Sequence, residues 1–456
     1  MNAARSLALD DSRPVWQGLA LFLLPLMLSN ILQSISASLN QVFLGRMVGV
    51  QALAAVSSIF PLLFFLISFL IGLGSGATVL IGQAYGAGDH ARVKAIAGTT
   101  ISLALSLGVA VGALGFVTSG AILGAIGTPA DIIPTSLGYA HITFLSLPLL
   151  FVYLVYTTFL RGIGDTRTPF AILIASTLLT AIVSPAFIGG WYGLPRLETN
   201  GAAAANVVAS GISLTLLLVV LARRRSPLSL DREMLRGMLP HPAIVASIVR
   251  LGVPTGLNLV MISLSEIAVI SFVNRFGSTA TAAYGAVNQI VSYVQFPAIS
   301  IGIAASVFGS QAIGAKRLER LPKIARAAVT LNYGIEGLLI AIAYVGSPWL
   351  VSLFTTDVHT QTIARGLLAI TLWSYTIFGN ARVLSGLMLS SGTVLWPTLI
   401  SIGSIWGVEV PAAYLLMQRY GLDGVWYGYP IAYIASLAMQ YGYYRFVWLR
   451  RPPERL

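Results

Sequence analysis

The sequence predicts an all-α membrane protein: twelve transmembrane helices in two parallel-repeat six-helix lobes. Three observations predict it. Of 456 residues, 56% are hydrophobic and only 9% charged, with a mean hydropathy of +0.84. A soluble domain carries about 25% charged residues, so the bilayer must solvate much of this surface. The apolar residues also fall into twelve runs, each near the roughly 20 residues that cross a hydrocarbon core. Finally, the first six runs resemble the last six.

The runs lie at about 15–39, 53–81, 95–117, 137–159, 168–190 and 199–222, then at about 244–272, 281–306, 325–346, 364–386, 397–418 and 424–446. The first is expected to remain as a helix rather than be cleaved as a signal. Asp10 and Asp11 precede it, and no short apolar segment with a small-residue cleavage site follows. The residues 223–243 hold Arg223, Arg224, Arg225, Pro227, Pro240 and Pro242 and read as a cytoplasmic linker. The expected domains are therefore an N-terminal lobe 1–222, a linker 223–243 and a C-terminal lobe 244–456.

Of the 27 Lys and Arg residues, 21 fall on the side of the two termini. Five fall on the other side (Arg46, Arg196, Arg275, Arg365 and Arg419), and Arg382 lies inside the tenth run. Basic residues accumulate in cytoplasmic loops, so both termini are expected in the cytoplasm. The net charge of +12 fits basic loops facing anionic lipid, and no nucleic-acid partner is expected. There is no cysteine, and the four histidines show no metal-ligand spacing, so no metal site and no cofactor is expected. With neither a Cys/His pair nor a catalytic carboxylate pair, the chain is not expected to be an enzyme.

Residues 49–88 laid on 277–316 without gaps give 12 identities in 40. The clearest piece is GQAYGAG at 82–88 against SQAIGAK at 310–316. Gly164 and Pro169 recur as Gly392 and Pro397, and Pro25 lies opposite Pro254. Six helices per unit means that both copies enter the membrane from the same side, a parallel repeat. Two like lobes around a cleft suit alternating access, and a transporter is expected.

The motifs sharpen this. VFLGR at 42–46 with ALAAV at 52–56, GQAYGAG, LRGIGDTRTP after the fourth run and NGAAAAN at 200–206 occur in order. In these strings the chain resembles the MATE (multidrug and toxic compound extrusion) transporters along nearly its whole length. The resemblance implies a V-shaped pair of six-helix lobes in the bacterial cytoplasmic (inner) membrane. It implies a monomer that exports amphipathic, often cationic compounds in exchange for protons or Na⁺. A flippase for a lipid-linked precursor, from a related branch, is the alternative. The expected partners are drug-like small molecules and membrane lipids.

The chain departs from the family where many members place acids. Asn40 stands at one such position in the first run, Ser184 before Pro185 at another, and Phe378, Gly379 and Asn380 occupy a third. Only three acids fall inside runs, namely Glu266, Glu336 and Glu409, all in the second half. A carboxylate in hydrocarbon is costly, which makes each a functional candidate by default. Glu266 shares a face with Thr255, Asn258 and Ser263, and the family's eukaryotic branch carries a glutamate near this position. Glu266, Glu409 and Asn258 are thus the ion-coupling candidates, a structural hydrogen bond being the other reading of Glu266. Glu409 is a possible partner for Arg382, which could otherwise reach the cytoplasmic interface.

Two polar stripes complete the set. Asn30, Gln33, Ser34 and Gln41 share one face of the first run, next to Asn40. Tyr284, Asn288, Ser292 and Gln295 do so in the eighth. Such stripes face a cleft or bond to a neighbouring helix; the substrate cleft is the expectation. Trp373, Tyr375 and Phe378 suit hydrophobic cations.

Overall fold

The structure is a computed structural model that describes residues 8–125, 127–129, 131–193, 195–451 and 455–456. Arg5 and Glu454, expected in the tails, lie outside them. The described chain is helical almost throughout. The first half holds α1 (Val15–Met47), α2 (Val50–Gly86), α3 (His90–Ala125), α4 (Ile133–Gly162), α5 (Arg167–Gly189), α6 (Thr199–Arg223) and the short α7 (Arg232–Gly237). The second holds α8 (Pro242–Val273), α9 (Ser278–Gly314), α10 (Leu321–Ser352), α11 (Val358–Thr371), α12 (Tyr375–Ser390), α13 (Leu395–Ser404), α14 (Val410–Tyr420) and α15 (Leu422–Phe446).

Twelve of the sequence runs become twelve crossings. The tenth is α11 and α12 joined through Leu372–Ser374, and the eleventh is α13 and α14 joined by a π-helical turn at Ile405–Glu409. Pro411 has no N–H for the carbonyl four residues back, which explains why the ladder widens just before it. Eleven crossings are long and apolar enough by composition alone. α15 is equally long at 25 residues. Its six tyrosines lower its hydropathy, and two of them build the site described below.

The repeat is written in backbone conformation. Gly164 and Gly392, at matching positions, both have positive φ, 90° and 81°. Gly88 has φ 74°, and its counterpart Lys316 accepts φ 58° despite its side chain. These are the turns after the second and fourth crossings of each half, where the chain must reverse.

The chain packs as two compact units. One runs up to Met27, takes in Gly86–Gly88 and resumes from Pro254; the other comprises Leu28–Tyr85 and Asp89–Val253. The first segment of α1 therefore packs with the second repeat, and the first segment of α8 with the first. Leu19, Phe22, Leu23 and Leu26 are buried against Ile301, Ala304 and Phe308, with the Phe22 and Phe308 rings edge-to-face at 5.6 Å. In the other unit, a Cβ on Gly252 would lie 2.7 Å from Leu73 Cα, and one on Gly76 would lie 2.9 Å from the Ile248 carbonyl oxygen. Glycine there allows backbones to touch. Pro25 and Pro254 each remove a ladder hydrogen bond close to the point of exchange.

The residues 223–243 belong to the Leu28–Val253 unit and are pinned to α3. Lys94 Nζ lies 2.5 Å from Asp231 and 2.8 Å from Glu233. Thr99 donates to the Gly237 carbonyl, and Ser102 to that of Met238. The other unit has a counterpart. Ahead of α1, Asp11 accepts from Arg317 at 2.7 Å and from the buried Arg320, beside the start of α10, at 2.9 Å. Each exchanged helix is thus preceded by an acid held by a base at the third helix of its unit.

Candidate functional site

In the Leu28–Val253 unit, α1, α5 and α6 bring three neutral polar side chains together. Ser184 donates to Asn40 Oδ1 at 3.0 Å, and Asn40 Nδ2 donates to Asn206 Oδ1 at 3.1 Å. Ser184 is fully buried, Asn40 half-buried and Asn206 exposed. Amides and a hydroxyl exchange no proton near neutral pH, so this triad can bind a polar group but cannot carry a proton. Along α1, Gln33 and Gln41 are exposed, and Asn30 and Ser34 half-buried. Asn30 stands ten residues, about 15 Å, from the triad, which the first polar stripe does not join.

In the unit from Pro254 onward, acids and tyrosines gather. Glu266 of α8 is exposed, whereas Glu409 of the π turn is buried; their charges act on one another. Both also act on Tyr284 of α9 and Tyr433 of α15. The Tyr284 and Tyr429 hydroxyls share a hydrogen bond of 3.0 Å, and Asn288 lies beside Tyr284. Tyr375 lies beside Tyr433 and Gln295. The Tyr433 ring lies 5.5 Å from that of Tyr375 and 5.1 Å from that of Phe378. The buried Trp426 stacks on Tyr284 at 5.7 Å.

The second polar stripe therefore meets this cluster: Tyr284 shares a hydrogen bond with Tyr429, and Asn288 and Gln295 lie beside the tyrosines. Ser292 instead donates to the Asn288 carbonyl in its own helix. Asn258 is buried with Oδ1 lacking a donor, but it stands two turns, about 12 Å, from Glu266. Ser263 donates to the Leu259 carbonyl. Arg382 makes no ion pair with Glu409 among the described residues; its guanidinium lies 5.1 Å over the Phe378 ring. The carboxylates are thus left uncompensated by a fixed cation, while aromatic faces line the same region. Such a set attracts a cation. Trp373 is exposed.

Two sets of residues escaped the sequence reading. Tyr429 and Tyr433 were legible only as an i, i+4 pair in the least apolar crossing, and Asn206 only as the last letter of NGAAAAN.

The MatE family model matches residues 25–186 and 254–415, two segments at a constant offset of 229. The chain belongs to the MATE family. The matched segments begin at Pro25 and Pro254, the prolines beside the exchange, which supports the repeat read from the motifs. The chain is 50% identical over 448 residues to the "Probable multidrug resistance protein YoeA" of Bacillus subtilis (strain 168), covering 98% of this chain and 97% of that one. It is 24% identical to the "Multidrug export protein MepA" of Staphylococcus aureus (strain MRSA252), covering 91% and 90%. In structure it resembles a mutant of the Vibrio cholerae MATE transporter VcmN, with a TM-score of 0.89 at 20% identity over 96% of this chain and 98% of the other. The MATE fold expected from the motifs is borne out.

Proposed function

We propose that this MATE-family membrane transporter exports amphipathic, cationic drug-like compounds in exchange for protons. The observation that carries the reading is the pair Glu266 and Glu409 among Tyr284, Tyr375, Phe378, Tyr429 and Tyr433, with no fixed cation paired to the acids among the described residues. Carboxylates in low dielectric take up protons readily, and a bound organic cation competes for the same charge. The names of the relatives, multidrug resistance and multidrug export proteins, agree with it.

In this reading Glu266, which keeps accessible surface, exchanges the proton with solvent, and the buried Glu409 raises the cost of leaving Glu266 ionised without a counter-charge. The tyrosine rings hold the apolar and cationic parts of the substrate. Asn40, Asn30, Gln33, Ser34 and Gln41 serve substrate contact in the first lobe, and Asn258 serves ion coupling in the second. The lobes 1–222 and 244–456, joined through 223–243, alternate access in a bacterial inner membrane with both termini cytoplasmic. The chain works as a monomer with no bound cofactor. Na⁺ coupling is the competing form of the mechanism. The lipid-precursor flippase is disfavoured because such a substrate needs a cationic cleft, whereas Glu266 and Glu409 make this cluster acidic.

The test is efflux of a lipophilic cationic dye from proteoliposomes, with a pH gradient or a Na⁺ gradient imposed separately. A pH gradient alone is expected to drive efflux, and Glu266→Gln is expected to abolish it in a folded protein. Unchanged efflux in Glu266→Gln overturns the assignment, and efflux driven by Na⁺ alone replaces the proton.

A further inference from the structure

The third intramembrane acid, Glu336 on α10, lies outside this cluster and is fully buried. Neither of its carboxyl oxygens meets a hydrogen-bond donor. One turn earlier, Asn332 is equally buried, and its Oδ1 also lacks a donor. Both groups press on the same spot of α12. A Cβ built on Gly379 would stand 2.6 Å from Glu336 Oε2 and nearer still to Asn332 Oδ1. Two acceptor oxygens therefore crowd the same spot of α12, each without a donor.

Turning the Asn332 amide over does not relieve this. Its nitrogen donates to the Thr376 carbonyl at 3.0 Å and to Asn380 Oδ1 at 3.2 Å. A backbone carbonyl only accepts, so the nitrogen must stay and the oxygen must face the carboxyl. Nor does a fixed cation stand by among the described residues. On α12, Arg382 lies over Phe378 and Tyr375 meets Tyr433. On α11, His359 is exposed, and Arg365 lines a separate pocket with Tyr344 and Ser347. On α9, Tyr284 bonds Tyr429, and Tyr293 is exposed against Phe296. On α10 itself Tyr333 is exposed and Tyr344 donates to the Ala369 carbonyl. Lys323 and Arg326 lie within its first two turns, more than two turns from Glu336. A hydrogen on the carboxyl itself would supply the donor that Asn332 Oδ1 lacks.

We infer that Glu336 is a second proton-binding site, separate from Glu266 and Glu409, whose carboxyl O–H donates to Asn332 Oδ1. The site is shut by the packing of α10 on Gly379, and its proton leaves only when those helices part. Asn380 is the nearest edge. It accepts from Asn332 and also lines an apolar groove of about 590 Å³ bounded by α10, α12 and α15. Occupancy of Glu336 is thereby linked to closure of the α10–α12 contact. The site does not depend on the antiport reading.

Infrared difference spectroscopy on the full-length protein in lipid, wild type minus Glu336→Gln, near neutral pH, tests this. A carbonyl band of a protonated carboxylic acid is expected in the wild type, absent from Glu336→Gln and retained in Glu266→Gln and Glu409→Gln. The glutamine amide can itself donate to Asn332 Oδ1, so this variant should fold as the wild type does. Asn332→Leu is the second variant: the band should remain but move to higher frequency, because the acceptor is gone. A difference spectrum of an ionised carboxylate overturns the inference, as does an unmoved band in Asn332→Leu. Thermal stabilisation by NaCl over choline chloride that is lost in Glu336→Gln also overturns it, assigning the oxygens to a cation.

Discussion

The two repeats hold corresponding helices, corresponding prolines and corresponding turn glycines, yet the polar centres of the two units differ in kind. In one, Asn40, Ser184 and Asn206 satisfy one another and carry no charge. In the other, Glu266 and Glu409 repel one another among hydrogen-bonded tyrosines. Duplication preserved what the backbone needs. Gly164 and Gly392 reverse the chain at positive φ, a conformation side chains rarely adopt. Pro25 and Pro254 stand where helices change units. Side chains within the units carry no such constraint, so one copy could keep the acids while the other lost them. The comparison predicts that the titrating step belongs to the second unit alone.

The largest effect should come from the carboxylates. Glu266→Gln is expected to lower pH-driven dye efflux by at least about tenfold, a change of 1.4 kcal/mol. Glu409→Gln should act in the same direction, less strongly, because that group is buried and acts through Glu266. Asn40→Leu and Ser184→Ala, measured in the same vesicles, should stay within about threefold of wild type, about 0.7 kcal/mol, the lower part of the roughly 0.5–1.5 kcal/mol of one neutral hydrogen bond. If Asn40→Leu matches Glu266→Gln, the division of labour between the units is wrong.

Asn40→Asp sharpens the same contrast. The new carboxylate can accept from Ser184, and Asn206 can turn its amide to donate, so folding should be unaffected. Efflux should persist but acquire a further pH-dependent step, read as a changed pH profile that Ser184→Ala in the same background alters again. An unchanged profile would mean that protons cannot reach the triad.

A smaller effect is expected from the tyrosines. Tyr429→Phe removes one hydroxyl of the 3.0 Å pair with Tyr284 and leaves the ring. Its loss should weaken apparent dye affinity about two- to tenfold, in keeping with roughly 0.5–1.5 kcal/mol, with the maximal rate changed less. Tyr433→Ala, which removes a ring near both Tyr375 and Phe378, should cost more than Tyr433→Phe.

The fold was legible because apolar length, the placement of basic residues and repeated turn motifs are all properties of sequence windows. The exchange of helix segments was not, since it depends on which surfaces Leu23 and Gly252 meet, although Pro25 and Pro254 mark its place. The candidate site was half legible. Glu266 and Glu409 stand out because charge is rare in a crossing. Tyr429 and Tyr433 do not, because aromatic residues fill apolar helices everywhere. Arg382 does not pair with Glu409 among the described residues; Phe378, one turn before it, offers the guanidinium a ring at once.

The smallest effect concerns the anchors ahead of the exchanged helices. Lys94 and the Met234 N–H hold the Asp231 carboxyl below its ordinary value. A depressed carboxylate stabilises the fold above its unfolded pKa, and that contribution is lost as pH falls through the lower folded value. The 223–243 segment should therefore be equally protected from about pH 7 down to about pH 4 and loosen only below that, since an unperturbed Asp titrates near 3.9. Both partners are partly solvated, so the effect is that of a surface pair, about 0.2–1 kcal/mol. Hydrogen exchange of the segment's amides should rise up to about fivefold in Lys94→Met at neutral pH, matching wild type at low pH. Arg320→Met should loosen the start of α1 instead and leave 223–243 untouched. Loosening of both segments by either variant would mean that the two anchors are coupled, and that each unit does not secure its borrowed helix independently.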